Sequence, residues 1–315
     1  FPYTTLFRSL YSKKGKYMAG LDNNMLSVIE CLAKNKIQDA KNAAIVCCKN
    51  DTTKKNAANL NYYQKLLENG NTVFMELPPN LESYMSVEDV SGFREDRYYV
   101  GKKQQKLYDQ ILTGTKVSDR LMEYGISYHN STLLYGVPGT GKTEFARYVA
   151  YKLGIPYAYL NFSNLIDSYM GKTAQNLSRI FDYCKGMKCV LMLDEIDCIG
   201  QARQHNSGSD AEMGRIVISL MQCLDNLVHG QIVIAATNRE DILDKALKRR
   251  FRNKVEFTKF NENEELKMIE KFVESIDLMN MDQELVEYVK DDHTQSETMD
   301  FLVEKLIQKV SREVI

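Results

Sequence analysis

The chain has 315 residues, 44% hydrophobic and 26% charged, the make-up of a globular protein long enough for one large domain and a smaller one. Its 41 Lys+Arg against 42 Asp+Glu leave a net charge of -1, which argues against nucleic acid as a polyelectrolyte partner, and no apolar run approaches the roughly 20 residues of a membrane helix. Seven cysteines without a CxxC pair argue against a disulfide framework and for a reducing, cytoplasmic setting.

Residues 1–9, FPYTTLFRS, are similar to the translation of a widely used sequencing adapter, so they are set apart from the fold and the native start is left open. Residues 10–70 are expected to form a small all-helical unit. Leu21, Met25, Val28, Ile29 and Leu32 fall on one helical face, Ile37, Ala40, Ala44, Cys47 and Cys48 on a second, and Leu60, Tyr63 and Leu67 on a third. A core this small is marginal, so the unit is expected to lean on a partner or on the rest of the chain. Pro78-Pro79 cannot continue a helix, and residues 71–90 read as a linker. Residues 91–260 alternate helical periods with short apolar strands, at Thr132–Tyr135, Tyr157–Phe162, Val190–Leu193, Ile232–Ala236 and Val255–Phe257. That alternation predicts an α/β fold with a parallel five-stranded sheet covered on both faces, ligands binding at the carboxyl ends of its strands. Residues 261–315 lose the strand signal and read as three helices, at 264–274, 283–289 and 298–312, with 15 acidic and 6 basic residues and hence a local charge of -9.

Gly136-Val137-Pro138-Gly139-Thr140-Gly141-Lys142-Thr143 fits G-x-x-x-x-G-K-[ST] in full, follows a strand and opens the helical stretch Glu144–Leu153. Phosphate binding needs that arrangement: glycines let backbone N–H groups close around phosphate oxygens at a helix N-terminus, Lys142 reaches the β and γ phosphates, and the Thr143 hydroxyl holds Mg²⁺. The later Gly171-Lys172-Thr173 lacks the outer glycine and is not a second such loop. The strand from Cys189 ends in Asp194-Glu195: Asp194 is expected to hold the water shell of Mg²⁺, and Glu195 to deprotonate a water aimed at the γ-phosphate. A further buried strand ends at Thr237-Asn238, placing an amide at the same edge. Lys248-Arg249-Arg250-Phe251-Arg252 reads as a solvated basic face, as a nucleic-acid patch, or as a source of arginine fingers. The four histidines and the cysteines show no metal-ligand spacing.

These motifs, in this order, resemble the AAA+ ATPases, and in particular the classical AAA clade that includes katanin, spastin and the proteasomal ATPases. The resemblance covers roughly Gly101 to Ile315. It implies a P-loop NTPase core with ATP and Mg²⁺ bound at Gly136 to Glu144, Walker B at Asp194 and Glu195, sensor 1 at Asn238, trans-acting arginine fingers at Arg249 and Arg250, a helical lid, and a ring, usually a hexamer. Ser163-Asn-Leu-Ile-Asp-Ser-Tyr169-Met170-Gly171 looks like the family's first pore loop, whose aromatic grips an extended polypeptide. Lys172 and Thr173 depart from the acidic residues usual there, the last helix lacks a sensor 2 arginine, and 204–210 reads as a second pore loop or a plain one. The adenine-contact motif matches either Asp89-Val90-Ser91-Gly92 by sequence or Val100-Gly101 by spacing. The resemblance implies an ATPase that remodels or threads a protein substrate, with residues 10–70 recruiting an adaptor or effector. The alternatives are a nucleotide-gated scaffold or switch and, with a neutral chain and an aromatic pore loop against it, a nucleic-acid motor or loader.

Overall fold

A computed structural model describes residues 23–33, 37–51, 57–69, 77–78, 80–167, 172–201, 209–228 and 230–314. The chain divides into two compact units, residues 1–74 and 75–315. Residues 1–9 lie outside the described ones.

The first unit holds three helices where three apolar repeats were expected: α1 (Asn23–Ala33), α2 (Ile37–Asn50) and α3 (Ala57–Asn69). Ala40 is buried, and a Lys49–Glu68 ion pair of 2.8 Å joins α2 to α3. Met25, Leu26, Ile29 and Leu32 of α1 remain exposed.

The second unit is built on a sheet whose strands are β1 (Met85–Glu88), β2 (Asn130–Tyr135), β3 (Tyr157–Asn161), β4 (Val190–Asp194), β5 (Ile232–Thr237) and β6 (Asn253–Glu256). Their spatial order is β1-β3-β4-β5-β2-β6. The five expected strands are mutually parallel, and β1 adds a sixth, antiparallel to β3 with Met85 opposite Leu160 and Glu88 opposite Tyr157. The linker expected over 71–90 therefore ends early. Leu81 and Met85 are buried and Val87 packs beside them, a two-residue alternation too short to stand out in sequence. Phe162 opens a helix instead of closing β3.

Alternation along β4 shows why this sheet must be covered twice. Leu191 and Leu193 pack with Leu133, Leu160 and Val233 on one face, and Val190 and Met192 with Leu134, Ile232 and Ile234 on the other. The first face is covered by α6 (Phe162–Asp167), α7 (Thr173–Gly186), α8 (Cys198–Gln201), α9 (Ser209–Asp225) and α10 (Lys245–Arg250); the second by α4 (Lys102–Glu123) and α5 (Lys142–Leu153). The helices α11 (Glu262–Glu274), α12 (Gln283–Tyr288) and α13 (Gln295–Val314) enclose a separate small core around Ile269, Phe272, Leu285 and Leu302. Asn130, whose Asn-x-Thr context matches a glycosylation site, is buried and donates to the Ile111 carbonyl.

Candidate functional site

Between β2 and α5 the chain turns through Gly136 (φ 132°), Gly139 (φ 77°) and Gly141 (φ 79°). Side chains are excluded there. A Cβ on Gly136 would lie 2.2 Å from the Phe257 carbonyl oxygen, and one on Gly139 would lie 2.9 Å from Thr294 Oγ1. Gly141 caps α5 with no side chain, leaving the first-turn N–H groups to any anion that arrives. Lys142, 8% exposed, donates from Nζ to the carbonyls of Gly136 (2.9 Å) and Val137 (2.8 Å). Burial lowers its pKa, against the pull of Asp194 and Asp197.

The end of β4 lies against this loop. Asp194 Oδ2 accepts from Thr143 Oγ1 at 2.9 Å and from Tyr159 Oη at 3.3 Å. Glu195 has φ 57°, the one non-glycine residue with positive φ among the described residues. Its Oε2 accepts from Asn161 Nδ2 and Ser163 Oγ, both at 3.0 Å. Asn161 Oδ1 in turn accepts from Ser163 N at 2.8 Å, so the amide that holds the glutamate also turns the chain from β3 into α6. At the end of β5, Thr237 Oγ1 donates to Asp197 and accepts from Arg239 N, both at 3.0 Å, which fixes the turn that presents the exposed Asn238.

Pro138 to Glu144, Asp194, Glu195 and Asn238 line one cleft of about 600 Å³. Its other walls are Phe93, Tyr98, Tyr99 and Phe260, then Met268, Met299, Gln295 and Ser296 from the C-terminal helices. Ser296 N donates to the Gly139 carbonyl at 2.9 Å, joining the start of α13 to the loop. Neither adenine-contact candidate lines this cleft. Asp89 accepts from Ser91 within its own turn, and Gly101 N donates to Gln104 Oε1 to begin α4. The residues between those candidates line it instead, and their only sequence signal is the aromatic density of FREDRYY.

Glu144 is drawn into an ion-pair chain: Arg147 binds Glu144 (3.1 Å) and Glu88 (3.0 Å) and lies over the Tyr157 ring. The Glu88 hydrogen bonds, more than any other contact, push the Arg147 pKa upward. The two finger candidates differ. Arg249 is exposed, whereas Arg250 donates to Asp225 Oδ2 (3.2 Å) and the Ala246 carbonyl (2.9 Å). Neither lines the chain's own cleft. Tyr169, Met170 and most of the 204–210 loop lie outside the described residues.

Among the described residues no group of three or more His, Cys, Asp or Glu gathers into a metal site. One hydroxyl, Thr143, and one carboxylate, Asp194, meet at 2.9 Å. This is a sparse all-oxygen set that suits a Mg²⁺ ion completed by phosphate oxygens and water. The glycine-rich loop and the uncapped α5 suit the phosphates.

Residues 132–259 match the family model described as ATPase family associated with various cellular activities (AAA). The chain is 37% identical over 134 residues to the AAA family ATPase y4kL of Sinorhizobium fredii, covering 42% of this chain and 40% of that one. It is 36% identical over 191 residues to 26S proteasome regulatory subunit 7 homolog B of Arabidopsis thaliana, covering 58% and 41%. To the ATP-dependent zinc metalloprotease FtsH 2 of Symbiobacterium thermophilum it is 34% identical over 173 residues, covering 53% and 28%. The chain thus matches less than half the length of each of these relatives.

Proposed function

The chain carries a domain of the AAA ATPase family, and on that premise we propose that it binds ATP with Mg²⁺, hydrolyses it to ADP and phosphate, and uses the cycle to remodel or thread a protein substrate. The observation that carries the reading is the meeting of the glycine loop, Asp194, Glu195 and Asn238 on one cleft. Backbone N–H groups of residues 139–143 receive the phosphates. Lys142 exchanges the Gly136 and Val137 carbonyls for phosphate oxygens. Thr143 and Asp194 hold Mg²⁺, which neutralises phosphate charge when bound. Glu195 leaves Asn161 and Ser163, takes a proton from the attacking water, and Asn238 orients that water. The water oxygen bonds to the γ-phosphorus as the bond to the β-phosphate's bridging oxygen breaks. An arginine from a neighbouring copy, Arg249 or Arg250, stabilises the charge that develops, an effect worth about 10³- to 10⁵-fold in rate.

Supplying that arginine in trans calls for a ring, usually a hexamer in this family, with residues 91–260 as the core and 261–315 as its lid. Tyr169 and Met170 grip the polypeptide, residues 10–70 recruit an adaptor or effector, and the protein works in the cytoplasm. Relatives named as proteasome regulatory subunits and as an ATP-dependent metalloprotease support a protein substrate. Among the described residues no helix is long and apolar enough to cross a membrane. The two donors holding Glu195 favour a second reading, a nucleotide-gated scaffold with slow turnover.

Glu195→Gln is expected to bind ATP and barely hydrolyse it. Tyr169→Ala is expected to keep hydrolysis and lose unfolding of a tagged model protein. Normal turnover in the first variant removes the base, equal unfolding by wild type and Tyr169→Ala removes threading, and slow substrate-independent turnover without unfolding selects the scaffold.

A further inference from the structure

Three donors hold the Asp194 carboxylate, and one of them stands outside the phosphate loop and the end of β4. Oδ1 accepts from Glu195 N at 3.0 Å. Oδ2 accepts from Thr143 Oγ1 at 2.9 Å and from Tyr159 Oη at 3.3 Å. Glu195 is the next residue in the chain, and Thr143 is the other metal ligand proposed above, so neither holds Asp194 independently of the site itself. Tyr159 does. It belongs to β3, is half-buried, and reaches Asp194 without lining the cleft. An ionised carboxylate only accepts, so the phenol is the donor.

Sheet register explains why the residue at this position is a tyrosine. β3 and β4 run parallel, with Asn161 opposite Asp194 and Tyr159 opposite Met192. The two-residue period puts Tyr159 and Asn161 on one face of β3, the face that Tyr157, Val190 and Met192 share with α5. Asn161, the direct neighbour of Asp194 across the ladder, gives its amide to Glu195 Oε2 instead. Asp194 is therefore served from two positions back, about 6.6 Å along the strand. A tyrosine hydroxyl covers that distance, whereas the hydroxyl of a serine or threonine at 159 would fall short. The ring packs against that of Tyr157, with centroids 6.3 Å apart, and Tyr157 is itself fully buried under the Arg147 guanidinium. The donor is thus aimed from a rigid strand by a supported ring.

Resting on the nucleotide and Mg²⁺ reading above, we propose that Tyr159 is a positioning residue for the metal carboxylate: its hydroxyl holds Asp194 Oδ2 in the orientation that receives Mg²⁺ with the nucleotide, and so sets the metal affinity of the site without touching nucleotide or metal. It takes no part in proton transfer or bond cleavage. Outer contacts of this kind are typically worth about 10- to 100-fold in metal affinity. Because Glu195 N still holds Oδ1 when the phenol is removed, the lower end, about tenfold, is expected here.

The test titrates β,γ-imido-ATP calorimetrically into wild type and Tyr159→Phe, once with Mg²⁺ and once with EDTA. The readout is the ratio of the two affinities, which involves no turnover. Phenylalanine keeps the ring and removes only the hydroxyl. Tyr159→Phe is expected to lower the ratio about tenfold and to bind the analogue in EDTA as wild type does. In an Asp194→Asn background the same substitution should move the ratio by less than about twofold, because the carboxylate it positions is gone. An unchanged ratio in Tyr159→Phe overturns the proposal. So does an equal loss with and without Mg²⁺, which would make the hydroxyl a prop for the fold, and so does a full loss that persists in the Asp194→Asn background. If wild type fails to bind the analogue, or binds it no more tightly with Mg²⁺, the nucleotide and metal reading itself fails and the proposal falls with it. That result appears in wild type alone and is distinct from a failure confined to Tyr159.

Discussion

Replacing Glu195 by alanine and by glycine should reverse the usual order of stability. At an ordinary position glycine is the worse of the two, because its unfolded chain has more freedom to lose, by about 0.4–1 kcal/mol. Glu195 sits at φ 57°, where any residue with a Cβ carries about 1–2 kcal/mol of strain that glycine does not. Both substitutions lose the same two hydrogen bonds from Asn161 and Ser163, so those contacts cancel in the comparison. What remains is strain relieved less entropy gained by the unfolded chain, which leaves Glu195→Gly more stable than Glu195→Ala by about 0.5–1 kcal/mol. The assay is urea unfolding of the two proteins side by side, with turnover absent in both. An alanine form as stable as the glycine form, or more so, would refute a left-handed backbone at this position. The base proposed above, Glu195, thus sits in a backbone conformation its side chain disfavours, so stability has been given up to point the carboxylate.

Two further outcomes follow from the geometry. Arg249→Ala should leave unfolding unchanged and lower turnover only at protein concentrations where copies associate, whereas Arg250→Ala should also cost about 1 kcal/mol through lost contacts to Asp225 and Ala246; Asp225→Asn separates the structural share, and equal stability losses for both arginines would count against this division. Glu265 is buried, 3% exposed, and burial raises its pKa above 4.5 despite the hydrogen bond from Thr298. A raised acid binds more protons folded than unfolded, so its contribution is complete below about pH 4.5 and declines as pH rises through the raised value. Glu265→Gln, which keeps an acceptor for Thr298, should remove that declining component from unfolding free energies measured between acid and neutral pH, and an unchanged slope would contradict it.

How far the sequence spoke depended on the range of the interaction. The sheet core was legible because buried parallel strands are apolar on both faces, as Val190 to Leu193 are. The phosphate loop was legible because its backbone tolerates only glycine at fixed spacing. β1 was missed: four residues paired at an edge leave almost no pattern, and Pro78 beside them pointed to a linker. Asn161 and Ser163 stand 34 and 32 residues from Glu195, so nothing local connects them with it. Phe93, Tyr98 and Tyr99 lie in a loop, where side-chain direction follows from tertiary packing and has no period to reveal it. The basic cluster at Arg249 and Arg250 could be seen, but the division of labour within it needed Asp225 from another helix.

β1 also changes what can be expected of the molecule under load. Its four residues lie antiparallel along β3, the strand that ends at Asn161, while Glu88 at its end grips Arg147 on α5, the helix that begins at the phosphate loop. Tension on the chain ahead of Met85 therefore divides between a row of backbone rungs pulled in shear and an ion pair pulled on its own. Salt weakens the second far more than the first. At low ionic strength a pull is felt at both the glutamate's anchor and the nucleotide's cradle, and at high ionic strength chiefly at the anchor. The edge strand is thus placed as a junction between β3 and α5, with one of its two links sensitive to the salt of the surrounding solution.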